Sequence, residues 1–233
     1  MSTLYLVRHG QASFGKEDYD QLSELGYEQA RVTGEYLSKT VKPTIFVSGT
    51  LKRQRQTLGE IRKGFDDSVL SQAQFLEFES FNEFDHRNIL EVVYPDFRDT
   101  HKDLLESLTT DENSVDEFQV LYKAAIDRWV ANDGDFKESF GAFTNRISAG
   151  LKELLSLVST SEQSIVLVSS AGPISSCMQH GTGLTSKDAF LLCDVMKNAA
   201  VSALTFSKES QVRLSYFNNF QHLAYAGVTA TYR

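Results

Sequence analysis

Two short stretches carry residues that could handle a phosphate. Arg8-His9-Gly10 ends the apolar run at residues 4–7, so a guanidinium and an imidazole emerge together at a strand end. A histidine becomes a nucleophile when one ring nitrogen is held by a hydrogen bond and the other faces the substrate. Arg8 offers the planar fork that suits phosphate oxygens, and Gly10 allows a tight turn and a close approach to a ligand. The second stretch, Ser48-Gly49-Thr50-Leu51-Lys52-Arg53-Gln54-Arg55-Gln56-Thr57, follows the apolar residues 45–47 and brings Arg53 to a second strand end where a helix opens. Hydroxyls at Ser48, Thr50 and Thr57, with the free N–H groups of a helix start, suit an anion. Arg53 and Thr57 share a helix face, whereas Lys52, Arg55, Arg62 and Lys63 read as a solvated basic face.

The elements that must position these groups alternate along the chain. Short apolar runs at residues 4–7, 45–47, 165–168 and 201–206 read as buried strands, and residues 212–217 as an edge strand. Between them lie helical patterns at 22–38, capped by Ser23, and at 51–65. Ser114 and Glu117 have capping-box spacing ahead of a stripe through Phe118, Leu121, Ala125 and Trp129. Phe140, Phe143, Ile147, Leu151, Leu154 and Val158 give the most regular helical face. This rhythm predicts an α/β fold, a three-layer α/β/α arrangement around a mostly parallel central sheet. Residues 80–138 break the rhythm and read as an inserted helical cap within one domain spanning 1–233. Ligands of such sheets bind beyond the carboxyl ends of the strands.

Composition narrows the function. The net charge of −8 and the lack of a basic stripe argue against nucleic acid as a partner. An anionic substrate must then be held by local cations against an unfavourable mean field. Cys177 and Cys193 have no metal-ligand spacing and read as reduced thiols. The start of the chain has no basic n-region, and Arg8 interrupts its apolar run too early for a signal peptide. No apolar stretch nears the roughly 20 residues of a membrane helix. A cytoplasmic protein without a membrane partner is the expectation.

Leu6-Val7-Arg8-His9-Gly10-Gln11, Leu22-Ser23-Glu24-Leu25-Gly26-Tyr27-Glu28-Gln29-Ala30 and Leu51-Lys52-Arg53-Gln54-Arg55-Gln56-Thr57 resemble, in order and spacing, the histidine phosphatase superfamily, which includes the phosphoglycerate mutases. Phe81-Asn82-Glu83-Phe84 looks like the segment presenting that family's acid, and the stretches Asn198-Ala199-Ala200-Val201 and Phe217-Asn218-Asn219-Phe220-Gln221-His222-Leu223 resemble its late strand pair. The resemblance is poorest between residues 85 and 138. It implies that His9 attacks phosphorus and carries a phosphohistidine, that Arg8 and Arg53 neutralise the non-bridging oxygens, and that Glu83 serves as proton donor and then base. It further implies a metal-independent phosphomonoesterase without a cofactor, acting on a small phosphorylated metabolite or a phosphoprotein, with Gly10, Gln11, Ser170 and Ala171 lining the substrate site.

One departure stands out. Where the family carries a second histidine, this chain reads Val168-Ser169-Ser170-Ala171-Gly172-Pro173. Serine keeps one hydrogen-bond donor and brings no charge, and losing one donor aimed at transition-state charge costs on the order of 10²–10³ in rate. Reduced or narrowed activity is expected, and His86 or Arg87, just after Glu83, could supply a substitute cation. Ser170 also motivates a different class of function, a phosphate-ligand or phosphoprotein binding protein with weak catalysis. A mutase is the third reading, disfavoured because it asks for a more strongly cationic pocket. Two rival motifs fall short. Gly10-Gln11-Ala12-Ser13-Phe14-Gly15-Lys16-Glu17 ends a P-loop pattern on a carboxylate, and Ser170-Ala171-Gly172 lacks the first glycine of a nucleophile elbow. His222 reads as structural, and His101 and His180 as isolated.

Overall fold

A computed structural model describes residues 1–13, 20–100, 112–158, 162–207 and 212–232. His101 and the 14–19 part of the P-loop-like stretch lie outside them. The sheet has six strands: β1 (Ser2–Arg8), β2 (Ile45–Ser48), β3 (Gln74–Glu77), β4 (Ser164–Ser169), β5 (Val201–Phe206) and β6 (Arg213–Asn219), in the order β3-β2-β4-β1-β5-β6. β3, β2, β4 and β1 run parallel, and β5 and β6 continue the sheet antiparallel. The mostly parallel α/β sheet expected from the sequence is present. β1 and β4 lie inside it with both faces covered, which is why they read as continuous apolar runs. β3 was not foreseen: Gln-Phe-Leu-Glu at the sheet edge is short and largely exposed, so it has no apolar run to read.

Register sets up the functional edge. Arg8 pairs with Ser169, and Ser48 with Val168, so β1, β2 and β4 end together. The segments that leave them, starting at His9, Gly49 and Ser170, therefore emerge side by side at the carboxyl edge of the sheet.

Helices cover both faces. α1 (Glu24–Thr40) starts at Ser23, whose Oγ accepts from the Gly26 N–H as the sequence suggested. α2 (Lys52–Arg62) follows β2. Leu37 and Val41 from α1 and its end, Leu58 and Ile61 from α2, and Phe65 pack with Val7, Phe46, Val166, Val168 and Val201. Leu204 alternates to the opposite face from Val201. There the helix Ala171–Thr182 comes so close that a Cβ on Gly181 would sit 2.6 Å from the Leu204 side chain.

The chain packs as two compact units, one made of Met1–Glu83 and Arg146–Arg233, the other of Phe84–Asn145. The second contains the helices His86–Val93, Phe97–Thr100 and Glu112–Val130. Its centre is aromatic: Phe84 stacks on Trp129 at 4.6 Å between ring centroids, and Phe140 and Phe143 meet the indole edge-on. The Trp129 indole donates to the Glu138 carbonyl at 2.8 Å, satisfying its one donor. The helix Glu112–Val130 begins ahead of Ser114, so the expected capping-box start is displaced; serine is tolerated inside a helix and does not force a terminus. Among the described residues no helix is long and apolar enough to cross a membrane.

Candidate active site

His9 is buried just past the end of β1. Its Nδ1 lies 2.7 Å from the Gly10 carbonyl oxygen. A carbonyl can only accept, so Nδ1 carries the ring hydrogen and Nε2 keeps a lone pair. Arg53 Nε donates to that Nε2 at 3.2 Å. The backbone is fixed as firmly as the ring. The His9 N–H donates to the Ser169 carbonyl at 2.8 Å, and the His9 carbonyl accepts from Asn198 Nδ2 and from the Ala199 N–H, each at 3.2 Å. Ala199 holds a left-handed conformation (φ 56°), a cost of about 1–2 kcal/mol for a residue with a Cβ. That conformation lets its N–H reach both the Arg8 and His9 carbonyls.

Arg53 is held from the other side by Asp20, with Nη1 to Oδ1 at 2.7 Å. The Asp20 carboxylate also accepts from the Lys52 N–H at 2.9 Å and the Arg53 N–H at 3.5 Å. The helix-start N–H groups expected to serve an external anion are therefore occupied by this carboxylate, which completes the cap that Leu51 cannot supply. Two of the three hydroxyls are likewise used internally. Thr57 Oγ1 accepts from the Gly10 N–H at 3.1 Å and donates to the Arg53 carbonyl at 2.7 Å, and Thr50 is tied to Asn82 through both its N–H and its hydroxyl. The expectation for Gly10 also changes. Its backbone is not left-handed; a Cβ there would lie 2.3 Å from the Gly26 carbonyl oxygen, so its bareness lets the chain pass over the start of α1. Lys52, Arg55 and Lys63 are exposed as expected, with Arg55 paired to Glu77 and Lys63 to Glu60, whereas Arg62 is half-buried with its guanidinium 3.9 Å from the centre of the Phe75 ring.

Arg8 gives Nη1 to the Met196 carbonyl and Nη2 to the Tyr232 carbonyl, the latter at 2.8 Å. The C-terminal segment that supplies Tyr232 is itself anchored near His9. Gln29 Nε2 donates to the Thr229 carbonyl (2.8 Å) and to Thr231 Oγ1 (3.1 Å), and Thr231 Oγ1 donates to Asn198 Oδ1 at 2.9 Å. Gln29 Oε1 accepts from the Gln11 N–H, and the Gln11 amide oxygen accepts from Ser23 Oγ at 2.8 Å, tying Gln11 to the cap of α1. The Cys193 thiol lies within electrostatic reach of Glu83 and Arg8. Burial first, and then the Glu83 carboxylate, push it well above the ordinary range.

Across the carboxyl edge, Glu83 Oε2 accepts from the Gly172 N–H at 3.2 Å, at the start of the helix Ala171–Thr182. The segment before it is braced by Arg146 Nη1, which donates to the Ser80 and Asn82 carbonyls at 2.8 and 3.0 Å. Ser170 caps this helix in position yet makes no side-chain cap bond. Its Oγ instead accepts from Gln54 Nε2 at 2.9 Å. Ala171 is the first helical residue and is buried. His86 belongs to the second unit, where Tyr122 Oη lies 2.7 Å from its Nδ1 and its ring meets the edge of Phe84.

The sequence matches the family described as histidine phosphatase superfamily (branch 1) over residues 4–135 and 85–219. The chain belongs to the histidine phosphatase superfamily. No curated protein matches it. Among solved structures it resembles phosphoserine phosphatase from Entamoeba histolytica in complex with 3-phosphoglyceric acid, with a TM-score of 0.63 and 18% identity over 96% of this chain and 100% of that one. It also resembles the mycobacterial glucosyl-3-phosphoglycerate phosphatase (TM-score 0.59, 20% identity, 93% and 99% covered). A third is the phosphoglycerate mutase from Bacillus anthracis (0.60, 17%, 96% and 95%). At these identities the likeness is one of fold, and the superfamily fold is what they share with this chain.

Several residues that organise the site were missed in the sequence. Asp20 stands in an irregular stretch that gives no pattern to read. Asn82, Asn198 and Gln29 act through amides whose partners are distant in sequence. Gln54 was legible: with Leu58 and Ile61 it forms an inward-facing stripe of α2, so its amide had to be buried.

Proposed function

We propose that the protein is a phosphomonoesterase that works through a phosphohistidine on His9. The observation that carries this reading is the ring orientation: Nδ1–H is committed to the Gly10 carbonyl, and the Nε2 lone pair is presented beside the Arg53 guanidinium. In the first half-reaction Nε2 attacks phosphorus and the P–O bond to the leaving group breaks; the departing alkoxide takes a proton from Glu83. In the second, the Glu83 carboxylate removes a proton from water, the water oxygen attacks phosphorus and the P–N bond breaks. The sum is ester plus water giving alcohol plus phosphate. Arg53, which already touches Nε2, and Arg8 carry the charge that spreads over the equatorial oxygens. Gly10, Gln11, Ser170 and Ala171 border the phosphate of a small phosphorylated metabolite or phosphoprotein, and His86 is the candidate substitute cation. The chemistry uses no metal and no cofactor.

The neutral Ser170 favours a second reading, a phosphate-binding protein with little turnover. Release of p-nitrophenol from p-nitrophenyl phosphate, compared between wild type and His9→Ala, separates them. Turnover lost in His9→Ala and retained by wild type in a chelator supports the phosphatase. Phosphate binding without His9-dependent release supports the binder.

A further inference from the structure

We propose that Gln54 is a positioning residue that turns Ser170 into a neutral hydrogen-bond donor toward the phosphate, and that Gln54 and a histidine at position 170 exclude each other. This deepens the phosphatase reading and rests on it. The orientation of the Gln54 amide is fixed by the Phe81 carbonyl, an acceptor only, which receives Gln54 Nε2 at 3.2 Å. The NH₂ group therefore faces Phe81 and Ser170, and Ser170 Oγ must accept its second hydrogen at 2.9 Å. With an acceptor position filled, the single hydroxyl hydrogen of Ser170 is left to be given away from the amide.

Among the described residues the Ser170 hydroxyl makes no cap bond to its own helix. A capping serine ordinarily accepts from the N–H two or three positions on. Here the Gly172 N–H is taken by Glu83, and Pro173 has no N–H. Ser170 leaves β4 beside the strand that ends in His9, since Arg8 and Ser169 are register partners. The donor thus belongs to the edge where phosphorus would sit.

Two further observations mark the pair as built. Gln54 and Ser170 are both 0% exposed, and Gln54 Oε1 is buried with no hydrogen-bond donor among the described residues. An orphaned buried acceptor is costly and calls for an explanation; holding Ser170 in donor orientation supplies one. Gly49 makes the room, because a Cβ there would lie 2.0 Å from Oε1. An imidazole at position 170 would extend past the Oγ position into the volume that the Gln54 amide fills, in a region packed too tightly to yield.

The test is steady-state turnover of p-nitrophenyl phosphate across pH by the full chain and by Ser170→Ala, Gln54→Leu, their double variant, Ser170→His, and Ser170→His combined with Gln54→Ala. Thermal melts accompany each, and Gln54→Met replaces any Gln54→Leu protein that does not melt cooperatively. Ser170→Ala should lower kcat by about 10²-fold with little change in KM. Gln54→Leu should move kcat the same way, and the double variant should fall no further than Ser170→Ala. Ser170→His should lose turnover with Gln54 present and regain it with Gln54→Ala, adding a titration near the ordinary histidine value of about 6.5. Multiplying losses in the double variant, full kcat in a folded Gln54→Leu protein, or a fully active Ser170→His protein that retains Gln54 would each overturn the proposal. If wild type shows no His9-dependent turnover, the phosphatase reading has failed separately. Calorimetric binding of inorganic phosphate then decides for Gln54: non-additive weakening by the same two single variants supports it, and independent effects overturn it.

Discussion

Around His9, the groups contributed by β1, α2 and the loop before α1 are ionic: the Arg53 guanidinium lies against the imidazole and the Asp20 carboxylate holds it there. Around Ser170, the groups contributed by β4 and the buried face of α2 are neutral: an amide, a hydroxyl and the Phe81 carbonyl. His9, Arg53, Gln54 and Ser170 are buried while Asp20 is partly exposed, and both arrangements draw on α2, through adjacent residues on different faces. The difference shows how one short helix can serve charge on one side and orientation on the other. The cost of burying the Arg53 guanidinium is offset by the carboxylate beside it, whereas the neutral Ser170 hydroxyl is oriented by the amide N–H that it accepts.

The comparison can be broken first on the ionic side. His9→Ala removes the nucleophile and should reduce p-nitrophenol release to background, the largest effect of any single change. Arg53→Ala should lower kcat by about 10²–10³-fold, as expected for a group that meets developing charge, and Arg53→Lys should recover little because a point charge cannot serve His9 and Asp20 together. Asp20→Asn keeps hydrogen bonding while removing the charge that steadies Arg53, so its loss should be about tenfold and should appear mainly in kcat. Equal losses for Arg53→Ala and Asp20→Asn would mean that the carboxylate acts directly on the reaction and not through the guanidinium.

Much of this arrangement was legible beforehand because it lies in short contiguous runs. Arg8-His9-Gly10 and the Ser48-to-Thr57 stretch each follow a buried strand, and buried parallel strands announce themselves as apolar runs. The sheet order follows less directly, and β3 not at all, since an exposed edge strand needs no apolar signature. What stayed hidden were pairings between distant residues. Asp20 was unreadable because nothing near it specifies that it closes the start of α2. The Gly10–Gly26 approach depends on how β1 and α1 cross, which a local turn argument cannot see. The helix-start anion was anticipated as a ligand, yet the chain supplies its own.

Two stability measurements sharpen the same contrast. Gly10→Ala drives a Cβ into backbone, not into a movable side chain, and should cost about 1–3 kcal/mol in denaturant unfolding. Gly59→Ala, where no atom lies near the added Cβ, is the control and should be neutral or slightly stabilising. His222 provides the smallest effect. It stacks on Tyr36 with Nε2 2.9 Å from Thr33 Oγ1, and burial lowers its pKa to about 4. The folded state then binds fewer protons than the unfolded one, so stability is full above about pH 6.5 and declines as pH falls toward 4. Chemical denaturation at stepped pH should show that decline, and His222→Phe should flatten it; an unchanged slope would mean that other groups carry it.

The central claim is a covalent intermediate on His9, and rapid acid-free quenching during turnover of p-nitrophenyl phosphate, followed by mass spectrometry of the peptides, tests it most directly. The account predicts an acid-labile, base-stable phosphoryl group on His9 that is absent from His9→Ala. A phosphoryl group on another residue, or undiminished turnover by His9→Ala, would contradict it.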